Sequence, residues 1–504
     1  MNKPVNARIA PFARILPVII LGILASNAVK IPLWSVIVLF SVSFVIAALF
    51  HRKEWSTWPV AAAMFFLSMG ITYLTLTKEV VPKGEKVVAA LHITDSPRSS
   101  GRWIKATGVL DKYRLASDGD TQWKKSGEKI IVRFDTSHTV SAGDRIITEL
   151  RLSPVADSTY AEYLRLMERR GYSASGWVYS NYKTVILPDK AKTPTYFASR
   201  MQASAGERMD RLELDPGAMA VSKAMSIGVK QNLSPELLES YSLTGASHLL
   251  AVSGLHVGIV AMLINLLLSP LGSLRRGHLA KNIVAVGIIW LYAMMTGLSP
   301  SVVRAPMMFT GLQFAMLSSR PGGGMNGLLG TAAVMLLINP NYLYDISFQL
   351  SFVAVLGIFV LYRPLFGLVK TGWGWVNAIW SVILIGVAAT VFTAPLVSYY
   401  FGRMPVIGVF LNPVVILTAN VIVLFSLLWI ITPLPFLNGF FSFILNAAGG
   451  LQNDVVAFSS NKSWASVPIS LTLPQVIFVY IVGALIIYIA KTQLAAGRKS
   501  VIKE

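Results

Sequence analysis

Residues 245–260 read GASHLLAVSGLHVGIV. They stand where the chain turns strongly apolar, yet they carry His248, Ser253 and His256 inside a membrane-length segment, where ionisable groups are costly and usually functional. Wound as one helix, with about 100° per residue, Ser247, Ala251, Gly254, Gly258 and Ala261 fall on one narrow stripe. Small residues at that spacing let a second helix approach closely, as in the G-x-x-x-G of Gly254 and Gly258. The opposite face carries His256, with Ser253 three residues before it, while His248 points sideways. The expectation is a helix with a packing side and a polar side. The plainer alternative is that Ser253 bonds a carbonyl of the preceding turn and His256 bonds within a helix bundle.

The rest of the 504-residue chain supplies the setting: 54% of it is apolar and 13% charged, against about 25% charged in soluble domains. This excludes an ordinary soluble fold. Cysteine is absent, which excludes disulfides, thiolate metal sites and cysteine nucleophiles. The formal charge is +20, and it is unevenly distributed. Outside 78–215 the acids are Glu54, Glu236, Glu239, Asp345, Asp454 and Glu504. The middle of the chain is therefore nearly balanced and the apolar remainder strongly basic. Cytoplasmic loops of membrane proteins show such an excess, which is compatible with a polyanionic substrate without indicating one.

Hydropathy divides the chain into five parts. Residues 1–77 hold three apolar runs (14–29, 33–50, 57–77), the first read as a retained helix rather than a cleaved signal. Residues 78–189 alternate as strands in KVVAALHITD, RWIKATGVLDKYR, KIIVRFD and DRIITELRL, with STYAEYLRLMERR as a helix capped by Ser158 and GYSASGWVY as a last strand. Five strands and a helix suit a small β-barrel of the oligonucleotide-binding (OB) type. Residues 190–244 read as an amphipathic helical connector. Residues 245–490 hold nine further apolar runs, of which 436–451 is short and 405–432 is broken at Asn412-Pro413. A basic tail, 491–504, follows.

The fold class is thus a polytopic α-helical membrane protein of about twelve membrane segments with an inserted periplasmic OB-like domain. Cations fall on alternate connections: Arg8 and Arg14, Arg52 and Lys53, Arg275, Arg276 and Lys281, Arg320, Arg363 and Lys370, and Lys491, Arg498 and Lys499. That pattern places both termini in the cytoplasm.

Familiar chemistry is mostly excluded. His248 and His256 are two turns apart and out of phase, with no carboxylate nearby, so no metal site is expected. No G-x-x-x-x-G-K-[ST] occurs. No G-x-S-x-G surrounds either serine, which leaves a Ser253–His256 hydrolase as the enzymatic alternative. Neither cofactor nor catalytic residue is assigned.

Four stretches carry a resemblance: GASHLLAVSGLHVGIV (245–260), TGLSPSVVRAPMM (296–308), YDISFQLSFVAVLGI (344–358) and TAPLVSYYFGRMPVIGVFLNPVV (393–415). In order and spacing they resemble the ComEC family of competence proteins, and SAGDRIITEL with YAEYLRLMERRGYSASGWV resembles the end of that family's periplasmic domain. The resemblance implies an inner-membrane channel that conducts single-stranded DNA from periplasm to cytoplasm during natural transformation. It implies as partners a periplasmic DNA receptor, a cytosolic helicase or DNA-binding protein, and membrane lipids. Many relatives continue into a metallo-β-lactamase-like domain. Here no H-x-H-x-D-H cluster occurs, so a separate nuclease is expected. Val229 stands where relatives often have an acid, which puts a carboxylate role there in doubt. A transporter of another anionic polymer or lipid is the second alternative.

Under that resemblance His248, Ser253, His256, Arg304, Gln349, Arg403 and Asn412 are expected to line the path, with Arg304 and Arg403 guiding phosphates or serving as interfacial anchors. Asp345, the acid between residues 240 and 453, would repel DNA in an open pore. It is expected to hold structure against Arg304 or a helix N-terminus. In the β domain, Arg102, Trp103, Lys105, Tyr113 and Trp123 are expected to meet DNA. Alternation alone does not say which rings face outward.

Overall fold

The computed structural model describes residues 11–29, 31–50, 57–76, 84–95, 97–100, 102–116, 122–153, 172–187, 190–250, 252–270, 277–298, 300–317, 323–367, 371–462 and 464–501. The expected helix at 158–170 and the loop cations Arg8, Arg52, Lys53, Arg275, Arg276, Arg320 and Lys370 lie outside these residues. Two compact units are present. One comprises Met1–Leu233, Leu249–Gln349 and Ala419–Gly450; the other comprises Ser234–His248, Leu350–Thr418 and Leu451–Glu504.

In the first unit, three apolar helices open the chain: α1 (Pro11–Ala28), α2 (Leu33–Leu49) and α3 (Thr57–Leu76). Gly22 lets α1 and α3 touch, because a Cβ there would collide with Ser68 Oγ and the Phe65 carbonyl. The β domain follows: β1 (Lys86–Ile93), β2 (Arg98–Ser100), β3 (Trp103–Leu115), β4 (Lys124–Asp135), β5 (Arg145–Ser153), β6 (Tyr172–Val178) and β7 (Thr184–Leu187). Alternation sends Val87, Ala89, Leu91, Leu110, Ile130, Phe134, Ile146 and Leu150 into one core.

The sheet has seven strands rather than the five expected. β1 pairs with β3 on one edge and β5 on the other, and β4 pairs with β6 in parallel. It is not the simple barrel expected from the strand pattern. β5 meets β6 through three residue pairs, and β7 takes the rest of that edge of β5. Two short strands beyond the hydrophobic pattern, Arg98–Ser100 and Thr184–Leu187, account for the difference.

The connector forms α4 (Pro194–Met209), α5 (Pro216–Ile227) and, in the second unit, α6 (Pro235–Leu243). Each starts with Pro at its first position, where a missing N–H costs nothing; Thr193 and Ser234 cap α4 and α6 through their side-chain oxygens. The remaining helices are α7 (Gly254–Leu267), α8 (Gly277–Met295), α9 (Pro300–Leu317), α10 (Gly323–Ile338), α11 (Ile346–Phe366), α12 (Gly374–Phe401), α13 (Gly408–Ile431), α14 (Asn438–Ser460) and α15 (Leu473–Val501).

Among the described residues four helical stretches are long and apolar enough to cross a membrane: Thr57–Thr75, Ile346–Phe366, Gly374–Phe401 and Phe410–Ile431. Six shorter apolar helices accompany them: Phe12–Ser26, Leu33–Leu49, Gly254–Leu267, Leu279–Met295, Gly324–Ile338 and Leu473–Ile489. α9 and α14, each expected as a segment, are not in either group; Arg304 and Gln313 dilute the first, and asparagine, glutamine and Asp454 the second. The expected break at Asn412-Pro413 does not form. Pro413 lies near the start of α13, whose helix continues through it. The expected tail is largely helical, since α15 runs on to Val501.

Candidate functional site

The 245–260 stretch is not one helix. Gly245 turns at φ +76°, and a Cβ there would lie 2.6 Å from Pro405 Cγ. Ala246–His248 makes a 3-10 turn in which His248 Nδ1 donates to the Gly245 carbonyl at 2.9 Å; Ser247 and His248 are exposed. α7 begins at Gly254, with Ser253 as its N-cap. Serine is a preferred N-cap because its β-region backbone and oxygen suit the open N–H groups of the first turn. His256, fully buried, accepts the Ser253 N–H through Nδ1 at 3.1 Å. It takes the place that Glu or Gln holds in a capping box.

Two expectations change. The small-residue stripe does not extend to Ser247, which precedes the helix; Ala251 lies outside the described residues. A Cβ on Gly254 or Gly258 would meet open space rather than a neighbouring helix, while Ala261 alone of the set is buried within α7. Ser253 and His256 do meet, but the Nδ1 lone pair is committed to a backbone N–H. That nitrogen is not placed to take a proton from the Ser253 hydroxyl.

Arg304 in α9 and Asp345 face one another at 3.8 Å (Nη1 to Oδ1), and each residue is 5% exposed. The same Asp345 oxygen accepts the Phe348 N–H at 2.9 Å, the third residue of α11, so the carboxylate is both a helix cap and an ion-pair partner. Gln349 donates to the Leu343 carbonyl at 2.8 Å, and Tyr342 stacks on Phe348 with ring planes 6° apart. Arg304, expected on an open path, is instead sealed beside a carboxylate. Gln349 is half-buried and tied to the local turn. In the second unit Arg403 is exposed after α12, and half-buried Asn412 sits near Gly386.

A polar cluster that the sequence did not announce lies in the second unit. Tyr241, fully buried, donates to Asn453 Oδ1 at 3.1 Å and accepts from Gln452 Nε2 at 2.9 Å. Gln452 Oε1, also fully buried, accepts from Thr418 at 2.9 Å. Burial pushes the Tyr241 phenol above its ordinary range, so it stays protonated. In the first unit the same helix, α14, turns Asn438, Ser442 and Asn446 onto the backbone of 211–215. Asn438 donates to the Arg211 carbonyl; Ser442 accepts from Glu213 N and Asn446 from Asp215 N, at 2.8 Å. Its outward residues are Phe440, Phe443, Leu451 and Phe458. α14 thus turns Ser442 and Gln452 inward among Phe441, Leu445 and Val456, and its outward face is apolar apart from Asp454. Periodicity shows two faces but not which one points in.

In the β domain Tyr113 belongs to the core at 7% exposure, which corrects its expected role on a binding surface. Phe134 is core as well. Trp123 is 40% exposed with the Arg114 guanidinium 5.6 Å from its ring. Arg102 is exposed. Trp103 packs edge-on against Trp177 (4.7 Å) and Tyr179 (5.4 Å). Lys105 pairs across the strands with Arg133. Among the described residues, no three His, Asp or Glu gather as metal ligands.

Apolar helices with inward polar groups, joined to a β-sheet insert, define a polytopic membrane protein carrying one non-membrane domain. The chain belongs to the ComEC family of competence proteins: the family described as Competence protein matches residues 225–494, more than half of it. It is 31% identical to ComE operon protein 3 of Bacillus subtilis (strain 168) over 199 residues, 40% of this chain and 24% of that protein. It is 28% identical to Competence protein ComA of Neisseria gonorrhoeae over 376 residues, 70% of this chain and 48% of the relative. An uncharacterized protein of Aquifex aeolicus (strain VF5) is 28% identical over 263 residues, 52% and 59% of the two chains. The chain thus spans less than two thirds of the length of these relatives. No solved structure matches it.

Proposed function

We propose that this protein conducts single-stranded DNA across a bacterial cytoplasmic membrane during natural transformation, from the periplasm inward, with both termini in the cytoplasm. The family match carries this reading, because it covers the helices that hold the buried polar groups. The buried Ser442 and Gln452 of α14 support it: a conduit for a polyanion needs polar groups turned away from lipid and no deep well that would trap the substrate. The β insert is read as the OB-like periplasmic domain. Its neighbour order β1-β3-β4-β6-β5, with β4 and β6 parallel, supports that reading.

The chain acts without chemistry of its own in this reading. A periplasmic DNA receptor delivers the substrate, a separate nuclease removes one strand, and a cytosolic helicase or DNA-binding protein draws or traps the other. The test is uptake of labelled DNA by a deletion strain with and without the gene restored. Restored uptake supports the reading; equal uptake by both strains overturns it. Ser253→Ala separates conduction from hydrolysis, since a hydrolase loses all turnover and a conduit keeps most of its transport.

A further inference from the structure

The corner where the β domain joins the connector leaves apolar side chains uncovered. Among the described residues β7 pairs with β5 alone, so its other edge is open. Val185 and Ile186 point to opposite faces of that strand, yet they are 55% and 42% exposed. Phe197, in the first turn of α4, is 47% exposed. An open apolar edge strand invites aggregation unless something covers it.

Leu187 of β7 lies opposite Arg145, two residues beyond Gly143. The Gly143 carbonyl accepts the Ala191 N–H at 2.8 Å, and Lys190 meets the Asp144 carboxylate at 3.2 Å. The Tyr196 ring fills the space where a Cβ on Gly143 would lie. The end of β7 and the start of α4 are therefore one corner of the domain.

The same helix sets the height of this corner. α4 buries Ala198, Ala205 and Met209 on one face and exposes Phe197, Arg200 and Ser204 on the other. From the packed side Gln202 donates to the Ile227 carbonyl at 2.6 Å, and its Nε2 lies 3.1 Å from where a Cβ on Gly297 would stand. Gly297 turns the chain just after α8, whose apolar stretch ends at Met295. With α8 in the bilayer, Gln202 stands at the edge of the hydrocarbon. Phe197 is five residues before it, about 7.5 Å along a helix axis. The headgroup layer adds about 5–7.5 Å on each side, so Phe197 reaches it at any tilt of α4.

Charge agrees with that level. From Lys183 to Arg200 the chain carries four cations, Lys183, Lys190, Lys192 and Arg200, and one acid, Asp189. Lys183, Lys192 and Arg200 are exposed. Apolar residues beside cations suit a surface that is apolar below and anionic above. Headgroup phosphates and their water also satisfy the open N–H groups of β7, which hydrocarbon could not. We infer that this corner, Val185 and Ile186 of β7 with Phe197 and Arg200 of α4 and Lys183 and Lys192 beside them, docks into the headgroup layer and binds anionic phospholipid. The contact holds the β domain at a fixed height over the bilayer, whatever the protein transports.

The chain has no cysteine, so single cysteines report position cleanly. Ile186→Cys, Phe197→Cys and Lys125→Cys, the last exposed on β4, each receive an apolar fluorophore. The full chain is placed in nanodiscs of phosphatidylcholine with rising fractions of phosphatidylglycerol. The labels at 186 and 197 should be quenched by a nitroxide on the lipid headgroup and shielded from aqueous iodide; the label at 125 should show the reverse. With the label at 197, Lys192→Gln and Arg200→Gln should each lower the apparent affinity for phosphatidylglycerol about fivefold, and Lys192→Arg should keep it. Iodide access at 186 and 197 equal to that at 125 overturns the site. Shielding from iodide without quenching by the headgroup nitroxide also overturns it, because a second copy or another protein would then cover the corner. Quenching that is the same in neutral and anionic nanodiscs overturns the assignment to anionic lipid.

Discussion

His256 accepts the backbone N–H of Ser253 at 3.1 Å, closing the N-terminus of α7 with an imidazole where a carboxamide or carboxylate usually stands. Glutamine can make the same bond from the same position. His256→Gln should therefore keep both thermal stability and DNA uptake, whereas His256→Ala should lose about 1 kcal/mol, the cost of a lost cap. Melting curves with uptake measurements check this. Loss of uptake in a stable glutamine variant would show that the imidazole does more than cap.

The Arg304–Asp345 pair is 5% exposed on both sides, so removing one partner strands a buried charge. Arg304→Ala and Asp345→Ala should each cost about 3–5 kcal/mol. The Arg304→Met, Asp345→Asn double variant, which keeps a capping oxygen at the start of α11, should recover much of that loss. Urea or thermal unfolding in detergent reads the difference. A double variant as unstable as the sum of the singles would mean the residues act separately.

Gly245 and Gly258 belong to one stretch but should respond oppositely to alanine. At Gly245 the φ of +76° and the 2.6 Å approach to Pro405 leave no room for a Cβ. At Gly258, within α7, a Cβ meets open space, and alanine should stabilise the helix by about 0.5–1 kcal/mol. Equal harm at both sites would restore the close-packed stripe expected from spacing.

Tyr241→Phe removes a donor and an acceptor from a buried cluster, leaving Asn453 and Gln452 short of partners. A loss of about 1–3 kcal/mol is expected near neutral pH. The pH dependence has a definite sign. The folded-state pKa lies above the ordinary 10.0, so the unfolded chain ionises first, and stability falls as pH rises above about 10. The phenylalanine variant should lack that part of the alkaline loss, measured as melting temperature against pH.

Much of the architecture was legible because hydropathy and alternation are local signals. The three opening helices, the β insert and the later helices can be placed from runs of apolar residues and from strands such as Lys86–Ile93. The Arg304–Asp345 contact followed from a scarcity, since one acid lies between residues 240 and 453. The break in 245–260 was not legible because its apolar residues continue across it. Leu249, Leu250 and Val252 are buried without being helical. Nor was the cross-strand alignment of Lys105, Arg133, Trp177 and Arg151, which exists only once four strands are brought into register. Tyr241 and Gln452 gave no signal for a similar reason: they are far apart in the chain and ordinary in their own helices.

The start of α7 at Gly254 leaves that helix fourteen residues long, about 21 Å, beneath a hydrocarbon layer of about 30 Å. To traverse that layer, the protein has to complete the distance with the irregular peptide before Ser253. Such a peptide brings unsatisfied carbonyls to a depth where lipid tails offer no donor. Another stretch of this polypeptide accompanies it there: Leu249, Leu250 and Val252 are buried, so protein rather than lipid surrounds the approach to Ser253, and that is how a short helix and a thick bilayer coexist.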